Sequence, residues 1–243
     1  MSDAHTLRVI CADLPAPPLF ERDARGERHG YEADVCRLIA GQLDREVEWV
    51  YRQWSDFYPA LDAGEGDILL CGQGISAYRK TLGDFSRPYA IFDESVMVRT
   101  DSGITSPQHL EGRRVGAIAN SLNMALAETF TGAVPVAFDG ASDDVFGDMV
   151  TALRAGEIDA LVDDDVALVP LEADDLTIAF TVPTRNAWGA VVAKGQTEWL
   201  ARVDRALGDI IGDGSLQAAW ARWLPSLEYP FAMSDPGCAR DRP

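Results

Sequence analysis

Lysine is nearly missing from this 243-residue chain, which has Lys80 and Lys194 and no others. Schiff-base chemistry therefore has only two candidates. Histidine is as scarce: His5, His29 and His109 fall in the leader or in polar loops, so a histidine base is not expected. Cys11, Cys36, Cys71 and Cys238 show no CxxC spacing, which removes zinc and redox motifs. Three of the four lie in apolar contexts where a small thiol packs. Basic charge is in deficit, with 21 Lys and Arg against 39 Asp and Glu and a net charge of −18. Nucleic acid and anionic membrane surfaces reward the opposite balance and are excluded as partners. No apolar run is long enough to span a membrane. Residues 1–5 are short and polar and the first apolar run, 7–11, is brief, so no secretory signal is recognisable. Either an export signal has been removed and the protein works in the periplasm or outside the cell, or Met1 is native and it works in the cytoplasm. Internal repeats and low-complexity tracts are absent as well.

What is present is a chain 47% hydrophobic, enough to bury a core in one large domain or two lobes. Residues 7–11 read as a strand, 32–43 as a helix with Val35, Leu38, Ile39 and Leu43 on one face, and 47–51 as a strand. A helix over 55–63 capped by Ser55 and a strand over 68–71 complete a βαβαβ series. That alternation implies a parallel sheet with ligands gathering beyond the carboxyl ends of its strands. A second series follows: strand 92–99, strand 114–118, helix 122–130 capped by Ser121, strand 134–138, helix 145–155 stopped by Gly156, and strand 159–162. Strand 188–193 and helices over 197–212 and 216–223 close the chain. Their stripes of Leu200, Val203, Leu207 and Ile210, then Leu216, Trp220 and Trp223, belong to a core. The polar residues from 231 onward read as a mobile tail.

The stretch 71–80, Cys-Gly-Gln-Gly-Ile-Ser-Ala-Tyr-Arg-Lys, carries the chemistry. Gly72 and Gly74 leave backbone open to a ligand beyond a strand end, and Arg79 supplies the planar fork that pairs with both oxygens of a carboxylate. Ser121, at a helix start, is a second candidate carboxylate contact. The run Asp163-Asp164-Asp165 either caps the next helix as a solvated turn or places an acid in a site whose neighbours raise its pKa.

In order along residues 7–227, these motifs resemble the type II periplasmic solute-binding proteins of amino-acid ABC importers, the bacterial extracellular solute-binding proteins of family 3. Pro17-Pro18-Leu19-Phe20 stands at the family's opening, Gly30-Tyr31-Glu32-Ala33-Asp34-Val35 at its first helix, and Trp54-Ser55-Asp56-Phe57 with Gly64-Glu65-Gly66-Asp67 before its third strand. Ile75-Ser76-Ala77-Tyr78-Arg79, Asp84-Phe85-Ser86 and Pro88-Tyr89 match its most diagnostic motif.

The resemblance implies an α/β, two-lobed fold with a hinge of crossing strands and a ligand cleft between the lobes. Residues 7–97 with 193–227 would form lobe one, 98–192 lobe two, and 228–243 a C-terminal tail. Arg79 would take the ligand α-carboxylate with the backbone near Gly74 and with Ser121. Asp164 and the Gly72 carbonyl would take the α-ammonium. Asp13, Trp54 and Asn120 would set side-chain specificity. Ala16 stands where the family usually has an aromatic, which leaves that wall open or supplied from elsewhere. Asn120 replaces the usual glycine and would narrow or polarise the site. The implied function is non-covalent binding of an amino acid or related zwitterion by a monomer, with an ABC permease as partner and no cofactor. The alternatives are a dehydratase-like enzyme on the same fold, using a cleft carboxylic acid, and an intracellular ligand sensor.

Overall fold

The computed structural model of the protein describes residues 5–231. Among the described residues ten strands are present: β1 (Thr6–Cys11), β2 (Glu21–Arg22), β3 (Arg28–His29), β4 (Glu46–Tyr51), β5 (Ile68–Leu69), β6 (Asp84–Arg99), β7 (Arg114–Ile118), β8 (Val134–Phe138), β9 (Ala160–Asp164) and β10 (Leu176–Val192). The helices are α1 (Tyr31–Gln42), α2 (Phe57–Asp62), α3 (Arg79–Leu82), α4 (Leu122–Ala127), α5 (Val145–Ala155), α6 (Asp165–Leu168), α7 (Thr197–Gly212) and α8 (Ser215–Trp223). Eight strands form one sheet in the order β4-β1-β5-β10-β6-β9-β7-β8, and β2 and β3 pair as a hairpin.

The sheet is parallel at both ends, where β1 pairs with β4 and β5, and β7 with β8 and β9. Between them β6 and β10 run antiparallel to each other over almost their whole length, with irregularities that twist the ribbon. These two long strands join the lobes. Leu7, Ile10, Ile39, Ile68, Phe92, Trp188, Val203 and Trp220 belong to one core, built from both ends of the chain. The second lobe packs against both faces of its sheet: Val96, Val115, Met124 and Val162 on one side, Met97, Met149, Leu153 and Leu161 on the other.

Several expectations shift. Ser55 lies inside a 3₁₀ turn, Trp54–Asp56, and caps no helix; its N–H donates instead to the Gly140 carbonyl at 3.2 Å. The crossing strands are far longer than the expected 92–99 and 188–193, since each continues from one core into the other. Trp188, Val191 and Val192 pack with the first core although the expected boundary gave them to lobe two, while Val96 and Met97 pack with the second lobe. Tyr229 and Phe231 also pack on the first core; the rest of the expected tail lies outside the described residues.

Candidate functional site

Beyond β5 the buried residues Leu70 and Cys71 lead into the glycine turn. Gly72 has φ +58, a left-handed conformation that excludes most side chains. Its N–H donates to the Glu32 carboxylate at 2.7 Å, and its carbonyl accepts from the Gly74 N–H at 3.1 Å. The turn is stitched to β10, with Ile75 N–H on the Ala187 carbonyl at 2.7 Å and Gly189 N–H on the Gln73 carbonyl at 3.1 Å. Glu32 holds this turn from below. Its buried carboxylate also accepts from the Tyr89 hydroxyl, and burial raises its pKa against those two bonds.

Arg79 starts α3 and is 5% exposed. Its guanidinium donates to the Gly74 carbonyl at 3.2 Å and stands 5.7 Å from the centre of the Trp54 ring. Among the described residues no carboxylate forms an ion pair with it. Burial pulls its pKa down, opposed by the Tyr58 and Asp164 charges. A buried guanidinium with so few partners has donors left over for an anion.

Across the cleft, β9 ends in Asp163 and Asp164, both buried because β9 runs between β6 and β7. The solvated-turn reading fails for this pair. Asp163 accepts from the Asp164 N–H at 2.8 Å, while Asp164 Oδ1 has no hydrogen-bond partner. Glu94 lies opposite Asp164 in the antiparallel ladder and accepts from the Asn123 side chain at 3.2 Å. Burial pushes Asp163 up to about 7, and burial with the Asp163 and Glu94 charges holds Asp164 well above the carboxylate range. Three buried carboxyl groups, Glu94, Asp163 and Asp164, thus stand together, with no salt bridge to a basic side chain among the described residues.

One cavity joins these features: Trp54, Gly72, Gly74, Arg79 and Asp164 all line it. The remaining expected residues lie at its margins. Asp13 is exposed and paired with Arg22 at 2.8 Å. Asn120 is exposed at φ +60, and it lines a neighbouring hollow with Ser121, Tyr78 and the outer side of Arg79. The Ser121 hydroxyl donates to the Ile118 carbonyl at 2.7 Å and accepts from the Met124 N–H at 3.0 Å, so it is largely occupied as a cap. Ala16 does leave its wall without a ring, and Phe20, Phe146 and Trp188 bring aromatic surface to the cavity instead.

The lobes meet around this space. A Cβ on Gly74 would fall 2.5 Å from Leu122 Cδ1, and one on Gly140 would fall 3.0 Å from Trp54. Gln53 donates to Asp143 across the rim at 2.9 Å. Sequence reasoning did not single out Glu32, Glu94, Asn123 or Phe146 as site residues. A usable signal was Glu94, an acid two residues before the apolar run Val96-Met97-Val98.

The two-lobed α/β fold has relatives of known family. The model of the bacterial extracellular solute-binding proteins, family 3, matches residues 8–226. This chain belongs to that family. The L-cystine-binding protein TcyJ of Escherichia coli (strain K12) is 27% identical over 214 residues, covering 86% of this chain and 79% of its own. The arginine-binding extracellular protein ArtP of Bacillus subtilis (strain 168) is 22% identical over 80% of this chain and 77% of its own. Among solved structures, an ancestral arginine-binding protein bound to glutamine superposes with a TM-score of 0.80 at 28% identity, over 90% of this chain and 97% of that one. The ancestral amino acid-binding protein AncCDT-1, a precursor of cyclohexadienyl dehydratase, gives a TM-score of 0.78 at 26% identity, over 90% and 94% of the two chains. Among the described residues no helix is long and apolar enough to cross a membrane.

Proposed function

We propose that this family-3 solute-binding protein is an amino-acid receptor that closes two lobes around its ligand and presents it to an ABC permease as a monomer, outside the cytoplasmic membrane. The observation that carries the reading is the buried Arg79 guanidinium, which pairs with no carboxylate among the described residues, in the same cavity as the buried Asp164 carboxyl, whose Oδ1 has no hydrogen-bond partner. A zwitterion satisfies both groups at once. In this reading Arg79 forks onto the α-carboxylate, Asp164 and the Gly72 carbonyl take the α-ammonium, and the Gly74 backbone and Trp54 close the near wall. Ser121 holds the start of α4 in place. Asp13 and Asn120 belong to the rim rather than to the ligand. The moving bodies are the two packed cores, one holding both ends of the chain with Phe92 and Trp188 to Val192, the other holding Val96, Met97 and the segment between the crossing strands; the hinge is the stretch of β6 and β10 where packing passes from one core to the other.

The test is a thermal-shift and calorimetric screen of the purified protein against the twenty amino acids. A ligand at 100 times its Kd should add about 2.7 kcal/mol of stability. Arg79→Ala leaves the carboxylate unpaired and should cost about 2–5 kcal/mol of binding free energy. Undiminished affinity in that variant would remove the carboxylate assignment.

A further inference from the structure

The polar groups of the cavity are few, and the proposed receptor role uses up those that are free. Four of its lining side chains can form strong polar contacts: Arg79, Asn123, Asp163 and Asp164. Arg79 and Asp164 are the ones the α-carboxylate and α-ammonium would engage. Asn123 is already turned to Glu94, and Asp163 accepts the Asp164 backbone N–H. Nearby charges that could have reached a ligand side chain are engaged elsewhere: Asp13 with Arg22, Asp143 with Gln53, and Glu32 with Gly72 and Tyr89. The rest of the wall is hydrocarbon and aromatic ring, the Trp54 and Trp188 indoles included, with Leu14 and Phe20 from one lobe facing Leu122, Val145 and Phe146 from the other; past Leu14, Trp54 and Val145 a separate rim hollow carries Asp13, Gln53 and Asp143.

We propose that the side-chain end of this cleft is selective for neutral α-amino acids with apolar side chains, the class of leucine, isoleucine, valine, methionine and phenylalanine. The inference rests on the amino-acid reading above and narrows it. A guanidinium, imidazole, amide or carboxylate entering the space between Leu14, Phe20, Val145 and Phe146 would leave water without gaining a partner. An aliphatic or aromatic chain would instead bring both lobes' apolar walls out of water as the cleft shuts. That burial gives the closed state its differential affinity. The relatives are named for ligands of the other kind, cystine and arginine, and the solved neighbour holds glutamine. The chain therefore parts from them at the side-chain wall and not at the α-groups.

Titration calorimetry on protein freed of bound ligand by unfolding and refolding reads the answer directly. At least one of the five apolar amino acids should bind about 100-fold more tightly than arginine and about 10-fold more tightly than glutamine. Alanine, which cannot fill the wall, should bind more weakly than that best ligand. Phe146→Ala should lower affinity for the best ligand by about 10-fold while changing alanine binding far less. Arginine, histidine, glutamine or cystine binding as tightly as the apolar set would overturn the apolar assignment and leave the amino-acid receptor standing. Silence toward every amino acid would overturn both.

Discussion

Asp164→Asn should make the ligand-free protein more stable, and more so as the pH rises. The native Asp164 carboxyl is buried, has an oxygen without a partner, and faces Asp163 and Glu94, so it holds its proton well above the ordinary carboxylate range. In the unfolded chain the same group ionises near pH 3.9. Between those points the native state holds one proton more than the unfolded state, and stability falls as pH rises, by about 1.4 kcal/mol per pH unit for one proton. Asparagine, unable to titrate, does not lose this stability. In a chain of this size the gap between variant and wild type widens by about 3–6 °C in Tm for each pH unit over which Asp164 stays protonated. Differential scanning calorimetry of both proteins at pH 5, 6 and 7, without ligand, measures it. A gap that stays constant with pH would mean that Asp164 is already ionised in the native protein, and the protonation argument would collapse. The same proton predicts that binding of an ammonium ligand releases protons, with affinity rising as the pH rises through that window. Asp164→Asn should flatten that slope and weaken amines much more than their deaminated analogues.

Other substitutions address the supporting structure. Glu32→Ala strands the Gly72 N–H and the Tyr89 hydroxyl; the two together should cost about 2–6 kcal/mol by urea denaturation, and Glu32→Gln should recover part of it. Unchanged stability in the alanine variant would mean that the glycine turn is held by its β10 contacts alone. Gly74→Ala puts a methyl against Leu122 Cδ1 and should weaken binding by about tenfold, with a Tm in the absence of ligand close to wild type, because the collision exists only when the lobes are together. Small-angle scattering should then find a more open average shape with ligand than wild type adopts. Gln53→Ala removes an exposed contact to Asp143 and should change affinity by less than about threefold; a large loss would reveal the rim contact as a true latch.

Periodicity served best where an element is buried on one face throughout. The stripe through Val203, Leu207 and Ile210 predicts α7 at its observed bounds, and Gly156, at φ +74, ends α5 where the sequence places it. The pattern failed on β6 and β10, whose inward face changes as each leaves one core and enters the other; in β10 only residues 188–192 show an unbroken buried run. In the candidate site, Arg79 and the glycines stand out through spacing, because backbone freedom and a planar cation are needed close together. Burial of Asp163 and Asp164 could not be read that way. Three successive acids look solvated until the sheet order puts β9 between two neighbours. The occupied state of Asp13 is equally a tertiary fact, since its partner Arg22 sits on the far side of a loop.

Arg99 and Leu176 are paired neighbours where the crossing strands end inside the second lobe, so the chain leaves the ribbon and rejoins it at almost the same point. Everything between them is, in effect, a cassette with adjoining ends. It carries Leu122, Val145, Phe146 and both buried aspartates, whereas Arg79, Trp54 and the glycine turn stay in the host. Recombination at those two positions would trade one wall of the cleft while leaving the carboxylate grip intact, so a lineage built this way can change what it captures by a single exchange of sequence rather than by many separate substitutions.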